Sequence, residues 1–402
     1  INNGLSQNTV YSIFQDNQGF MWFGTKDGLN RFDGTNFKTF HFSPDNDLRD
    51  NVFKRILQDS NDDLWVATDE GVYIYNPHQE SFRRFDEQTD KQKSVTGTVS
   101  DMIMDRDGDI WISVEGEGVF HYSISQSQLY FYEVPLSDGM KILSLCAGKD
   151  NDVWVFPYSR PFLHIDKKTK TVSEFELQDD PALLWNVGEV SSILADKYNE
   201  LILATSQKGL LSINTVNRTH RVLLDKDKNG EPVFARILIR VDDKTLWVGS
   251  ESGIYIFNDE TMEVTNLRNN NSIPYSLSDN AVYSLYKDRD NGIWVGTYFG
   301  GLNYYANRLS GFDVFYAIDN INSISGNRVR EFCNAGHGRI WIGTEDKGLN
   351  LFDPVTNTFL PIDNELRKLY TNIHALFNDG RYLWISTFSK GLNRYDLNTG
   401  KL

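Results

Sequence analysis

The sequence predicts an all-β protein: a β-propeller of four-stranded blades, with a seven-bladed ring over residues 1–310 and the first two blades of a second, incomplete propeller over residues 311–402. Three observations predict it. Tryptophan recurs at Trp22, Trp65, Trp111, Trp154, Trp247, Trp294, Trp341 and Trp384, and Leu201 fills the one double-length gap. Nine repeats thus run 43–47 residues apart, a period that marks solenoids, propellers or helical arrays. Inside each repeat, short apolar runs alternate with Gly, Asp and Asn turn signals. No stretch shows the i, i+4, i+7 apolar spacing of an amphipathic helix.

Repeat one shows how each element is read. Val10 to Gln15 (VYSIFQ) is apolar and β-rich, and Asp16-Asn17-Gln18-Gly19 is a turn. Phe20 to Thr25 is a second strand, ended by Lys26-Asp27-Gly28. Leu29 to Phe32 is a third, Asp33-Gly34 turns again, and Asn36 to Phe42 is a fourth, more polar strand. Four antiparallel strands joined by hairpins make one propeller blade. The inner strands are apolar on both faces, as strands covered by two neighbouring blades should be. Trp22 and its equivalents are expected to fill the space between blades. The glycine after them (Gly24, Gly249, Gly296, Gly343) leaves room for a close neighbour.

Propellers close with about 4 to 8 blades, so nine repeats divide as seven and two. The stretch after Tyr305 lacks the Asp-Pro or Asp-Gly turn of other repeats, which puts the boundary near residues 306–315. Residues before Val10 are expected to pair into the seventh blade and lock the ring. Two blades cannot close a ring, so the natural protein is expected to continue past Leu402. One nine-bladed ring is the alternative. Trp185 lies outside the register.

Composition narrows the function. The formal net charge of -15 argues against a nucleic-acid backbone as partner. No run approaches the roughly 18 apolar residues of a membrane helix. The start, INNGLSQNTV, carries no basic or apolar leader, so the protein is cytosolic or a signal peptide has been removed. Cys146 and Cys333 occupy matching places in two repeats and read as free thiols, with a disulfide as the alternative. Asp225-Lys226-Asp227-Lys228-Asn229-Gly230 opens like a calcium loop, but its twelfth position is Arg236 instead of an acid. None of the seven histidines sits in an HExxH or HxH pattern. GxSxG elbows and Walker loops are absent, and no two carboxylates stand out as a glycosidase pair. No cofactor and no metal are expected. The turns DNQG, DRDGD and DRDNG are similar to the Asp-box of other propellers, and the simpler reading is a capped hairpin turn.

One pattern goes further. Gly4-Leu5-Ser6, Asn8, Val10-Tyr11-Ser12-Ile13, Gln15-Asp16, Gly19, Trp22, Gly24-Thr25 and Gly28-Leu29-Asn30-Arg31-Phe32-Asp33 together resemble the two-component-regulator propeller repeat. Ser278 to Leu285 and Ser325 to Val329 repeat its opening. The resemblance weakens in repeat four, where Phe156-Pro157-Tyr158-Ser159-Arg160-Pro161 replaces the Thr-x-x-Gly-Leu segment, and in repeat five, which has Leu201 for Trp. It implies a periplasmic sensor of a hybrid two-component system from a glycan-degrading bacterium. It also implies an oligosaccharide signal, a homodimer in the full-length protein, and a membrane helix, histidine kinase and regulator that these residues do not contain.

In a propeller, the loop entering the first strand and the loop joining strands two and three share a face. The second of these is the most variable segment of the repeat, and loops on a rigid scaffold carry binding. The candidate ligand residues are Tyr158, Arg160, Lys208, Tyr298, Phe299, Arg328 and Arg330. Tyr298 and Phe299 offer an aromatic platform. Arg160, Lys208, Arg328 and Arg330, with Lys26, suit an acidic or sulfated sugar. A ligand-sensing, non-catalytic ectodomain is the first expectation. A protein-interaction platform and a propeller glycosidase or lyase are the alternatives.

Overall fold

The computed structural model describes residues 4–41, 52–89, 92–134, 143–149, 152–196, 199–270, 273, 275–307, 314–318, 322–369 and 372–402. These residues form nine antiparallel sheets, each with its strands in chain order. In blade one they are β1 (Val10–Gln15), β2 (Met21–Thr25), β3 (Gly28–Phe32) and β4 (Phe37–Phe40). Blades seven and nine show three strands among the described residues. The chain divides into two compact units, one of Ile1–Asn270 and Tyr275–Arg308, the other of Asn271–Pro274 and Leu309–Leu402. Of the boundary expected at 306–315, residues 308–313 lie outside the described residues.

The first unit is a ring of seven blades. The innermost strands are β1, Arg55–Gln58, Val99–Met104, Leu143–Ala147, Val190–Ala195, Ala235–Arg240 and Val282–Lys287. Each packs beside the next, and the last packs beside β1. Among the described residues none before Val10 is a strand, but Gly301 N of blade seven donates to Asn8 O at 3.2 Å. The ring closes by packing and hydrogen bonding. Val10, Phe23 and Leu5 pack with Trp294, Tyr286 and Leu302 of blade seven. Ser284 Oγ donates to Val10 O at 3.0 Å and Thr9 Oγ1 to Tyr298 O at 2.7 Å. Arg289 reaches from blade seven to Gln15 and Asn17.

Three local devices explain why the repeat is written as it is. The turn aspartate and the tryptophan are partners. Trp22 Nε1 donates to Asp16 Oδ2 at 2.7 Å, and Trp65–Asp59, Trp111–Asp105, Trp294–Asp288 and Trp384–Asp379 repeat the bond at 2.9 Å. The other oxygen of Asp16 accepts the backbone N–H groups of Gln18 and Phe20, so one carboxylate shapes the hairpin and satisfies a buried indole. The glycine after the tryptophan faces the next blade. A Cβ on Gly24 would lie 2.5 Å from Phe53 O, and one on Gly296 would lie 2.8 Å from Val10 Cβ, across the ring seam. The loop between strands two and three is clamped from below: Thr25 Oγ1 donates to Gly28 O at 2.7 Å, and Thr68, Thr205, Ser250, Thr297, Thr344 and Thr387 do the same in their repeats. Repeat four has Pro157 at this position and cannot make the clamp.

The second unit holds blade eight (Val329–Gly336, Arg339–Thr344, Gly348–Asp353, Thr358–Leu360) and blade nine (Ile373–Asn378, Tyr382–Thr387, Gly391–Asp396). Trp341, Leu349, Leu366, Ile373 and Leu383 pack between them. Leu392 of blade nine is 68 % exposed, whereas Leu29, its equivalent in the ring, is fully buried. Both cysteines are free, Cys146 buried and Cys333 half-buried. Burial pushes the Cys146 thiol up to about 12, so it is inert as a nucleophile at neutral pH.

Candidate functional site

The face predicted to bind ligand is built by a β-bulge. In blades one, three, five, six and seven the pairing of the innermost strand skips one residue: Tyr11, Ser100, Ser191, Arg236 and Tyr283. A bulge leaves its extra residue out of the ladder and re-aims its side chain. Just beyond it the strand two–three loop bonds back to the residue before the strand: Lys26 N to Thr9 O, Glu115 N to Thr98 O, Glu251 N to Phe234 O and Tyr298 N to Ala281 O. Bulge residue and loop residue therefore meet on one face of the ring.

Their pairings set the chemistry. Arg236 forms an ion pair with Glu251, and its guanidinium lies 4.3 Å from the Tyr283 ring centroid and 4.7 Å from that of Phe234. Tyr283 contacts Tyr298 (5.0 Å between ring centroids) and Tyr11 (6.1 Å), and Tyr298 meets Phe299 edge-on at 4.6 Å. Phe299 is 72 % exposed. Its backbone N–H is held by Asp279 Oδ2 at 2.9 Å, which fixes the loop while leaving the ring open. In blade two Lys54 Nζ pairs with Asp69 at 2.5 Å. The result is an arc of four aromatic rings, from blade seven to blade one, with an ion pair on either side.

Below the arc, where the innermost strands converge, lies a cavity of about 240 Å³ lined by Tyr11, Ser12, Arg55, Asp101, Ser192 and Ser284 among others. Arg55 Nε donates to Asp101 Oδ1 at 2.8 Å, and Asp101 Oδ2 accepts the Leu145 N–H. Burial raises the hydroxyl pKa of Tyr11, helped by Tyr298, Tyr283 and Asp69. Burial also raises that of Tyr283, against the opposing pull of Arg236. Both tyrosines therefore keep their protons at neutral pH and can donate as well as accept.

The sequence-selected residues are distributed over this frame. Tyr298 and Phe299 belong to the aromatic arc. Tyr158 and Arg160 sit on the unclamped loop of blade four, where Ser159 adopts a φ of 46°. Arg160 stacks 5.2 Å from the ring centroid of Trp185, which is 47 % exposed, as is Tyr158. Trp185 leaves the repeat register because it lies in a 3-10 turn, Leu183–Asn186, between blades four and five. Ser159 N bonds to Gly188 O, which ties that turn to the same loop. Lys208 is exposed on the blade-five loop, its N–H held by Thr205 Oγ1. Arg328 and Arg330 lie in the second unit, both exposed, and Arg330 pairs with Glu345. Tyr11, Arg236 and Tyr283 were not selected from the sequence. Their signal was available: they hold the position after the first apolar residue of the strand, which varies while its neighbours stay constant.

One buried cluster has metal-ligand character. Ligand atoms of Asp105, Asp109 and His121 lie within 4.8 Å of one another. Lys167 Nζ already bridges the cluster's two carboxylates, 2.6 Å from Asp105 and 2.9 Å from Asp109. A cation would have to displace that ammonium group. In the segment that opens like a calcium loop, Asp227 Oδ1 accepts the N–H groups of Asn229 and Glu231 and caps a turn.

Three segments of the chain, residues 4–27, 47–70 and 276–299, match the two component regulator propeller. The fold is similar to that of the extracellular domain of a putative hybrid two-component system from B. thetaiotaomicron. The two are 25 % identical with a TM-score of 0.74, over 99 % of this chain and 53 % of that one. A second extracellular domain from B. thetaiotaomicron, described as that of a putative one component system, aligns at 18 % identity and a TM-score of 0.62, over 99 % of this chain and 58 % of that one. Over 42 residues, 10 % of this chain, the sequence is 52 % identical to a histidine kinase P4 of Formosa agariphila, of which that stretch is 3 %. The chain thus carries two-component-regulator propeller repeats and spans little more than half of the extracellular domains it resembles. No helix among the described residues is long and apolar enough to cross a membrane.

Proposed function

We propose that this chain is the ligand-sensing part of an extracytoplasmic two-component sensor, and that it binds a glycan-derived oligosaccharide on the strand two–three loop face of the seven-bladed ring. The observation that carries the reading is the arc of Tyr11, Tyr283, Tyr298 and Phe299 over the central cavity. Sugar rings present apolar C–H faces and polar rims, and a binding cleft that mixes aromatic surfaces with a few fixed polar groups suits them. A rigid ring with its recognition residues on bulges and loops loses little conformational entropy on binding. In this reading the propeller is the periplasmic part of a membrane-anchored protein that acts as a homodimer, and the kinase that reads the bound state is not among these residues.

The test is a thermal-shift screen of the 402-residue chain against plant and host oligosaccharides. Free ligand at about 100 times Kd should stabilise the ring by about 2.7 kcal/mol. A hit lost in Phe299→Ala supports the site, and a hit indifferent to it moves the site elsewhere. An interaction platform is the second reading, favoured by Phe332, Phe377 and Leu392 of the second unit, each more than 60 % exposed. Silence across the panel would favour it.

A further inference from the structure

We propose that the ligand of this face is an uncharged oligosaccharide and not a uronate-bearing or sulfated one. The inference rests on the sensor reading above and deepens it.

Each cation of the arc already has a carboxylate partner: Arg236 has Glu251, Lys54 has Asp69, and Arg55, one residue deeper, has Asp101. A ligand carboxylate or sulfate would have to displace a partner held on the scaffold, Glu251 and Asp69 on loops and Asp101 on a strand, and would then lie beside it. Further carboxylates stand on the same loops. Glu70, Glu115 and Glu117 follow the second strands of blades two and three, and Asp279 braces Phe299. Against these the rim sets Lys26 and Lys208, while Arg84 and Arg268 are tied to the carbonyls of Glu70 and Ser252 on those loops and Arg160 is stacked on Trp185. An anion therefore meets cations that are already paired beside the arc, and an interaction that must first break an existing ion pair discriminates against it.

An uncharged sugar meets no such conflict. Its C–H face stacks on Phe299 and Tyr298. An ion pair with both ends at the arc, Arg236 with Glu251, offers a donor and an acceptor to adjacent hydroxyls without adding net charge. Protonated Tyr11 and Tyr283 extend that set.

The experiment is isothermal titration of the 402-residue chain with neutral xylo-, manno-, gluco- and galacto-oligosaccharides, and with oligogalacturonides and sulfated galactan oligosaccharides. Each is run at low and high NaCl. We expect a neutral binder whose Kd changes less than about twofold between about 50 and 500 mM salt, because no net charge is exchanged. No anionic probe should come within about tenfold of it. Phe299→Ala and Tyr283→Ala should each weaken it by about tenfold, as loss of a stacking ring does. Glu251→Gln should weaken it too, whereas an anionic ligand would bind Glu251→Gln more tightly. An anionic probe that binds best, weakens with salt and needs Phe299 would overturn the ligand class and leave the site standing. A neutral sugar that binds equally well to Phe299→Ala and Tyr283→Ala, or no binding by any probe, would overturn the site and the ligand class with it.

Discussion

At His121 a single buried ring links acid lability to blade three. The imidazole is 4 % exposed, stacked on Trp111 at 4.3 Å, with Nε2 against Asp109 at 3.0 Å and no partner for Nδ1. Burial holds its pKa below the usual histidine value, against the opposing pull of Asp109. Protonation would place an unbonded N–H in the core. The unfolded chain takes up that proton at its ordinary pKa of about 6.5 and the folded chain only lower. The stability His121 contributes is thus complete above about pH 6.5 and is lost as pH falls below it. Asp109, held low by Lys167 and His121 against its own burial, adds a second loss in the carboxylate range. Melting followed by circular dichroism should show Tm falling as pH drops below about 6.5, and His121→Gln should flatten that slope. An unchanged slope would mean that the ring titrates without cost.

At the scale of one element, the glycine after the tryptophan sets how closely blades approach. Gly296→Ala puts a methyl 2.8 Å from Val10 Cβ, and Val10 belongs to the strand on the far side of the seam. Overpacking of this kind costs about 1–3 kcal/mol, so the mutant should melt several degrees lower. A Tm within a degree of wild type would show that the seam relaxes freely. This device was legible in the sequence, as were the turn aspartate and the tryptophan, because each acts within one repeat or on its immediate neighbour. Tyr298 and Phe299 were legible for the same reason, since loop length and residue type mark an exposed platform locally. Arg236 was not. Its neighbours suggested a failed calcium loop, and only a skipped residue in the ladder shows that it points toward Tyr283. Trp185 likewise needed the link from Ser159 to Gly188 before its exposed ring joined the ligand face. At the seam, Leu5, Asn8 and Thr9 reach blade seven as the sequence suggested, through Leu302, Gly301 and Tyr298.

The whole ring behaves differently from the sum of its repeats. In an open solenoid each repeat contributes its own stability and an interface with its neighbours, so losing a terminal repeat leaves a shorter but folded array. Here every blade of the ring has a neighbour on both sides, and blade one is as central as any other. Removing it exposes Trp294, the partner of Phe23, with Leu302 and the Tyr286 ring on one side, and Phe53, Val66 and Tyr73, which pack against Trp22, on the other. Two apolar faces then open where a solenoid would open one. A fragment of residues 1–308 should therefore unfold in one cooperative transition, since all seven blades and the seam are present. Residues 52–308, which lack blade one, should show no sharp transition and should bind a hydrophobic dye, although they keep six of seven repeats. Calorimetry decides between the two architectures. A cooperative melt of the six-blade fragment would mean that closure adds nothing, and that the bonds from Thr9, Ser284 and Arg289 across the seam are incidental. Loss of the melt would show that closure is what makes the face rigid, and hence what holds Tyr11 beside Tyr283, from opposite ends of the ring's sequence, on one ligand-binding arc.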